Sequence, residues 1–330
     1  MAGPMQVELT DDPQAFRAGE WDALVETDPE GTFFHTPEFL KTWWEEFHPG
    51  GHLQLAFVSG DAGLVAACGF EVRDELLCFL GGFDVTDYMG PVAVAGTEDA
   101  VAKELVAAIS GVDHWNRADL AGLPEDGRWL PALARAFEAA GMTVETGDDG
   151  VTPLLDLPAT FEEYEATLHS KARHEMRRKR RRLERDAGEV RLVHTTRQNL
   201  DEHLDRFIAW HRGSGGPKGN FMVTGMEIFF RHLGHDFVEP GPFRLTFIEA
   251  GGVPMAGAIS FRYKDAVYLY NSAFDHEHRA LAPGMVLIAE MIREAIEAGV
   301  GRFDLLKGDL EYKYRFGPRP RAVKRLRVTR

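Results

Sequence analysis

The feature that most constrains this chain is a weak internal repeat. Residues 53–80 read LQLAFVSGDAGLVAACGFEVRDELLCFL, and residues 243–270 read FRLTFIEAGGVPMAGAISFRYKDAVYLY. Each gives an alternating strand, a Gly-containing turn, a small-residue strand, a charged turn (Arg73-Asp74, Lys264-Asp265) and a further apolar strand. Alternation at period two broken by turn signals is the mark of an antiparallel meander. After each block come Gly82-Phe83-Asp84 and Ala273-Phe274-Asp275, then a helical stretch (98–110, 284–298), then Ala118-Asp119-Leu120 and Phe303-Asp304-Leu305. Shared order at a nearly constant offset implies duplication. Each half therefore reads as helix, meander, helix, strand, and a chain of 330 residues is long enough for two such cores.

Local signals fill in the halves. Thr36 caps a helix with Pro37 at its first position, and Phe39, Trp43, Trp44 and Phe47 recur at helical spacing. The second half is expected to open near Phe161 with one helix carrying Leu168, Ala172, Met176, Leu183 and Ala187 on one face. A second helix over 198–211 should end at the loop Gly213-Ser214-Gly215-Gly216-Pro217. Cys68 and Cys78 sit in apolar strand-like segments and read as core residues, so no disulfide is expected. No uncharged apolar run has the length of a membrane span, and the first residues lack the pattern of a secretory signal. These features predict a cytoplasmic protein with no membrane partner and no metal.

The charge is uneven. Against 37 Lys and Arg stand 52 Asp and Glu, a net of -15, yet residues 171–185 hold nine basic side chains and 312–330 hold eight. An acidic body excludes duplex DNA, which requires a broad basic footprint. Two concentrated patches point to a phosphorylated ligand, or to segments that neutralise their neighbours.

The segment Val267–Phe316 carries the chemistry. A strand, VYLYNSAFD, enters the loop HEHRALAPG, and a helix follows with Met285, Ile288, Ala289, Ile292 and Ile296 on one face. A strand, a Gly-terminated loop and a helix start together form a phosphate-binding arrangement. Pro283 suits the first helical position, Gly284 lets a ligand approach the backbone, and Arg279 is placed to pair with a pyrophosphate. The alternative reading of the same pattern is a simple turn into a helix.

The motifs Ala273-Phe274-Asp275, Ala282-Pro283-Gly284-Met285-Val286-Leu287, Phe303-Asp304-Leu305-Leu306-Lys307-Gly308-Asp309 and Tyr312-Lys313-Tyr314-Arg315-Phe316 resemble the GNAT-related, FemAB-like family, also called BioF2-like or CelD-like acetyltransferases. The segments 32–39, 80–82 and 87–88 resemble the family's N-terminal region, so the likeness runs from about 30 to 325. It implies an α+β (α/β three-layer) fold of two tandem GNAT-like domains, each a mixed, mainly antiparallel sheet flanked by helices. The linear split is a degenerate domain over 1–160 and a donor-binding domain over 161–330. The first half departs from the pattern, with Thr86-Asp87-Tyr88-Met89-Gly90-Pro91 where the second has Arg279 to Gly284, and no Lys-Gly-Asp after Leu120. The acceptor is expected between the halves.

Acyl transfer from a thioester to an amine needs a donor for the carbonyl oxygen, a route for the amine proton and a proton for the thiolate. The resemblance implies a splayed strand whose backbone N–H meets the thioester, here Tyr268 to Ser272. Asn271 and Ser272 are polar in that strand and either line the cleft or bond at its end. Asp275, Asp304, Asp309 and Glu311 compete as base; Asp304 lies in an apolar strand, where it is either a proton-transfer group or a buried structural carboxylate. Tyr312 is the candidate acid. Arg279, Pro283, Gly284, Met285, Lys307, Gly308 and Lys313 form the expected donor site, Lys313 being the better phosphate candidate. Asp87, Tyr88, His211, Asp275, Asp309 and Glu311 form the expected acceptor set, with Lys218 close to His211-Arg212 in sequence.

The sequence thus predicts an N-acyltransferase, monomeric or homodimeric, carrying an acyl group, acetyl first among candidates, from acyl-CoA to a small-molecule amine. One alternative is an amide-forming transferase that takes its acyl group from aminoacyl-tRNA, as some FemAB-like relatives do. Another, of a different class, is a non-catalytic binding module on the same fold.

Overall fold

A computed structural model describes residues 5–17, 19–47, 50–82 and 85–330. The Phe83-Asp84 pair of the repeat and the Lys218 side chain lie outside the described set. The chain forms two compact units, Met1–Val151 with Arg321–Arg330, and Thr152–Pro320.

The first unit contains β1 (Gln6–Thr10), α1 (Gly19–Thr27), α2 (Pro37–Phe47), β2 (His52–Gly60), β3 (Gly63–Arg73), β4 (Leu76–Phe79), β5 (Val92–Ala93), α3 (Glu98–Ser110), β6 (Arg117–Pro124), α4 (Trp129–Ala139) and the start of β7 (Thr143–Asp156). The second contains the end of β7, then α5 (Phe161–Thr167), α6 (Ser170–Ala187), β8 (Val190–His194), α7 (Leu200–Gly213), α8 (Gly216–Phe221), α9 (Thr224–Phe237), β9 (Phe243–Ala250), β10 (Val253–Tyr263), β11 (Ala266–Phe274), α10 (Pro283–Glu297), β12 (Arg302–Asp304) and α11 (Glu311–Tyr314). The last strand, β13 (Arg319–Thr329), pairs with β6 in the first unit.

The repeat is visible in the pairing. In the first unit β1, β2, β3 and β4 are successive antiparallel neighbours, and β4 runs parallel to β6 through Leu77↔Ala118. In the second, β8, β9, β10 and β11 follow the same order, and β11 runs parallel to β12 through Val267↔Phe303. A helix makes each parallel crossover, α3 in one and α10 in the other. Each β6 equivalent also takes an antiparallel neighbour, β13 for β6 and the end of β7 for β12. The fold is therefore α+β, two tandem units of one plan, each a mainly antiparallel sheet flanked by helices.

The apolar periodicity explains the cores. Val101, Ala102, Leu105, Val106 and Ile109 of α3 pack with Ala66, Cys68, Phe70 and Leu120 of the first sheet. Leu287, Ile288, Ile292 and Ile296 of α10 pack with Ile248, Ala256, Ala258 and Phe303 of the second. Both cysteines are free and buried, as expected.

Three expectations change. The single helix at the start of the second unit is two. A capping box closes α5, Thr160 Oγ accepting from the Glu163 N–H at 3.2 Å and the Glu163 carboxylate accepting from the Thr160 N–H at 3.1 Å. Leu168 and His169 are then extended, and His169 Nδ1 accepts from the Lys171 N–H at 3.3 Å to start α6. The boundary falls inside β7 rather than at 160, and the final ten residues belong with the first unit. The reason is pairing: β13 fills the antiparallel position beside β6.

The third concerns the second basic patch, most of which does not border the donor segment. Arg321 pairs with Asp126, Lys324 with Glu125 and Asp148, and Arg325 with Asp119 and Asp149. That strand neutralises acidic neighbours. Among the described residues no helix is long and apolar enough to cross a membrane, and no group of three or more His, Cys, Asp or Glu side chains forms a metal site.

Candidate active site

The site begins with a bulge. In β10 and β11, Ile259 faces Asn271 but Ser260 faces Leu269, so Tyr270 is an extra residue. One extra residue re-aims the side chains after it. Asn271 is turned to the α7 side, where its Oδ1 receives His211 Nε2 at 3.0 Å and the Ser272 N–H at 2.9 Å. Ser272, opposite Ala258, faces α10 and hydrogen-bonds the Tyr312 hydroxyl. Tyr270 packs edge-on against Phe230 and Phe261 on the α9 side.

The parallel pairing of β11 with β12 covers only Ala266–Tyr268, whereas β11 continues to Phe274. The ladder stops there because β12 ends at Asp304, after which the Leu305 N–H bonds the Pro153 carbonyl at 2.9 Å. Among the described residues the first unit shows no equivalent: β4 ends at Phe79, Leu80-Gly81-Gly82 follow it, and Val85, Tyr88 and Met89 are buried. Its sheet lacks the polar extension that Asn271 and Ser272 supply.

The chain beyond β12 is held by two charged side chains acting on one residue. Asp304, 3% exposed, accepts the Leu306 N–H at 2.8 Å, and Lys313, 4% exposed, donates from Nζ to the Leu306 and Lys307 carbonyls at 2.9 Å each. Leu306 has φ +56°, a left-handed backbone that costs a branched residue roughly 1–2 kcal/mol. The clamp fixes that conformation and with it the loop carrying Lys307, Gly308 and Tyr312. Lys313 is therefore committed to two carbonyls, which argues against the phosphate role expected of it.

Tyr312 is half-buried; burial raises its phenol above the usual value, and the Ser272 hydrogen bond partly opposes this. It stays protonated through the neutral range and can act as a proton donor beside Ser272.

At the head of α10, Ala282 is left-handed (φ 53°), Pro283 is the first helical residue, and a Cβ built on Gly284 meets nothing closer than Phe274 at 4.0 Å. The approach to this helix start is open. Arg279 is exposed on the preceding 3-10 turn, without a carboxylate partner among the described residues. Beside Met285 opens a cleft of about 760 Å³ between α6 and the 311–316 segment. Its walls carry His169, Lys171, His174 and Lys179 from one side and Tyr314 and Arg315 from the other. The pocket-facing members of the basic helix were not separable by sequence from its outer face, because side chains all round it are cationic. Many of those cations are paired: Arg177 with Glu165, Arg178 and Lys179 with Glu175, Arg180 with Glu290. Arg177 holds the Glu165 carboxyl below its ordinary value.

The other candidates scatter. Asp275 caps the 3-10 turn by accepting the Glu277 N–H at 3.0 Å; Asp309 is exposed and bonded to Tyr314, and Glu311 pairs with Arg315 at 3.1 Å. Asp87 and Tyr88 belong to the first unit, and Tyr88 is 3% exposed, packed against Phe34 with Arg321 over its ring. Its ring serves that core.

Residues 170–314 match the family model described as an acetyltransferase (GNAT) domain. No curated protein matches the chain. Among solved structures, FemX superposes with a TM-score of 0.66 at 13% identity, covering 97% of this chain and 96% of its own. A conserved protein of unknown function from Bacteroides thetaiotaomicron gives 0.67 at 13% identity, covering 98% and 100%. L-PGS from Bacillus licheniformis gives 0.52 at 13% identity, covering 92% of each chain. At these identities the likeness is one of fold.

Proposed function

We propose that this chain, whose residues 170–314 form a GNAT-type, FemAB-like acyltransferase domain, moves an acyl group from acyl-CoA to the amine of a small molecule. The observation that carries the reading is the end of the β11–β12 ladder at Tyr268, just before the polar Asn271 and Ser272, with Tyr312 bonded to Ser272. A thioester lying beyond the end of that ladder would set its carbonyl oxygen against the backbone of β11, where preorganised N–H groups meet the charge that develops on attack. Tyr312, kept protonated by burial, would return a proton to the departing sulfur. His211 holds the Asn271 amide and, through it, the Ser272 N–H. Asp304 and Lys313 act as positioning residues by clamping Leu306.

Coenzyme A supplies the activated acyl group. The open helix start at Gly284, the cation Arg279 and Lys171 of the cleft wall, where Lys179 and Arg315 are shared with Glu175 and Glu311, fit its phosphates in charge and room. Helix N-termini and guanidiniums are the usual partners of such groups.

The same cationic wall favours one other donor, aminoacyl-tRNA, whose backbone is also polyanionic. Incubation of the full chain with acetyl-CoA or with charged tRNA, against a panel of small amines and read by mass spectrometry, separates the two. Saturating CoA should raise the melting temperature, by about 2.7 kcal/mol of stabilisation at a hundredfold excess over Kd. RNase-sensitive turnover without a CoA shift would overturn the CoA reading. Binding without turnover of either donor would leave a binding module.

A further inference from the structure

A second cavity lies at the other end of the same sheet. It measures about 290 Å³ and is roofed by the C-terminal half of α10, from Met291 to Ala298. The end of the β11–β12 ladder and the head of α10 are elsewhere. Ser272 is five residues from Val267, the β11 residue in this wall, so ~16 Å of extended strand separates the two sites. Glu294 is ten residues from Gly284, ~15 Å along the helix.

The register explains the lining. Thr246 of β9 stands opposite His194 of β8, Ser260 of β10 opposite Arg244 of β9, and Arg262 opposite Val267. Period-two alternation puts these side chains on the face that α10 covers. Where neighbouring positions on this face hold Ile248, Ala256 and Ala258, the cavity has two hydroxyls and two guanidiniums, and the Glu239 and Glu294 carboxylates complete its polar lining.

The polar groups are ordered by depth. Thr246 and Ser260 are each 2% exposed. Thr246 Oγ1 bonds His194 Nδ1 at 3.2 Å, but Ser260 Oγ has no hydrogen-bond partner among the described residues. A buried hydroxyl left unpaired costs about 1–3 kcal/mol, so one facing a cavity is a place for a ligand atom.

Arg244 is half-buried, and its Nη1 donates to the Gly241 and Phe243 carbonyls. Both acceptors are neutral; the Glu239 and Glu294 carboxylates of the same wall act on it electrostatically, but neither forms a salt bridge with it among the described residues. Burial holds its guanidinium below the ordinary value. Arg262, exposed at the rim, also lacks a carboxylate partner among the described residues. A guanidinium removed from water and unpaired gains most from a planar anion that its remaining N–H groups can grip. Met291, Ala295, Val267 and Val300 form an apolar part of the wall suited to a short hydrocarbon tail, beside the polar Glu239, Glu294 and His194.

We propose that this cavity binds a small organic carboxylate, of amino-acid size, with the carboxylate on Arg244 and the Ser260 hydroxyl and the tail against Met291 and Ala295. The Glu294 carboxylate at the rim, bonded to His194 Nε2 at 2.7 Å, is placed to meet an α-ammonium group if the ligand carries one. The ligand is thus either a plain short-chain acid or an amino acid.

Ligand-observed NMR and calorimetric titration of the full chain with isobutyrate, L-valine and inorganic phosphate test it. Both carboxylates should bind at about millimolar Kd or tighter. Arg244→Gln should weaken them at least tenfold and Ser260→Ala severalfold. Tighter binding of L-valine would identify the amino-acid form, and equal binding the plain acid. Because Arg244→Gln also removes loop contacts, Ser260→Ala is the second variant; its thermal unfolding and CoA response should be unchanged. Binding of phosphate alone, of neither carboxylate, or of carboxylates indifferent to both substitutions overturns the proposal. None of these outcomes depends on acyl transfer, so failure here and failure of the acyltransferase reading are told apart.

Discussion

Replacing Lys313 by Met tests whether the loop after β12 is held by a buried cation. The ammonium makes two hydrogen bonds of 2.9 Å, to the carbonyls of Leu306 and Lys307. Met matches the stem but leaves both acceptors without this donor. Leu306 is 2% exposed, so its carbonyl cannot turn to water and should cost about 1–3 kcal/mol; Lys307 is half-buried and should recover part of its loss from solvent. The left-handed Leu306, no longer held from its carbonyl side, adds roughly 1 kcal/mol. Against this stands relief from burying a charge, which removes some of the penalty. The net expectation is a loss of about 2–4 kcal/mol, read as a lower urea midpoint at unchanged slope. The folded variant should bind CoA within severalfold of wild type, since Nζ is spent on carbonyls. Wild-type stability together with a tenfold or larger loss of CoA affinity would refute the clamp and restore Lys313 as a phosphate ligand.

Tyr312→Phe should lower kcat about 10–100-fold with little change in stability, because the lost hydroxyl serves proton transfer; stopped-time assays from pH 6 to 9 should find wild-type activity without a tyrosine ionisation in that range. Asp22 has its carboxyl pushed up to about 6 by burial and then by the nearby Glu38 and Glu26. A raised carboxyl contributes stability that is present below its ordinary value of 3.8 and lost as pH rises through about 6. Asp22→Asn should therefore stabilise by about 1 kcal/mol at pH 8, once solvent screening is allowed for, and by nothing at pH 4. Gly257→Ala places a Cβ 2.8 Å from the Phe247 ring and should cost about 1–3 kcal/mol in thermal unfolding. Arg325→Met leaves Asp119 and Asp149 without their buried partner and should cost about 3 kcal/mol at pH 7.

Legibility followed locality. The meanders, α3 and α10 were readable because alternation, Gly turns and the Pro283 start are signals within a few residues of each other. The Tyr312–Ser272 and His211–Asn271 pairs were reached only as separate candidates, since nothing local says that a bulge at Tyr270 sends Asn271 and Ser272 to opposite faces. Lys313 between two tyrosines has the composition of a ligand site; its burial is set by the turn from Asp304 to Phe316. The basic end of the chain misled for the same reason. Its partners Asp119, Asp126, Asp148 and Asp149 lie almost two hundred positions earlier. The second cavity gave no signal, because its lining comes a few residues at a time from four strands, one helix and the turns beside them.

The return of β13 to β6 has a consequence for biosynthesis. Residues 321–330 leave the ribosome after every residue of the second unit, yet they complete the sheet of the first. Until then β6 offers an unpaired edge, and an open edge invites pairing with other chains. Of the two units the first-made is therefore the last to close, and its vulnerable interval lasts as long as translation of the second takes. Damage to residues 321–330 should accordingly register as instability of the first unit.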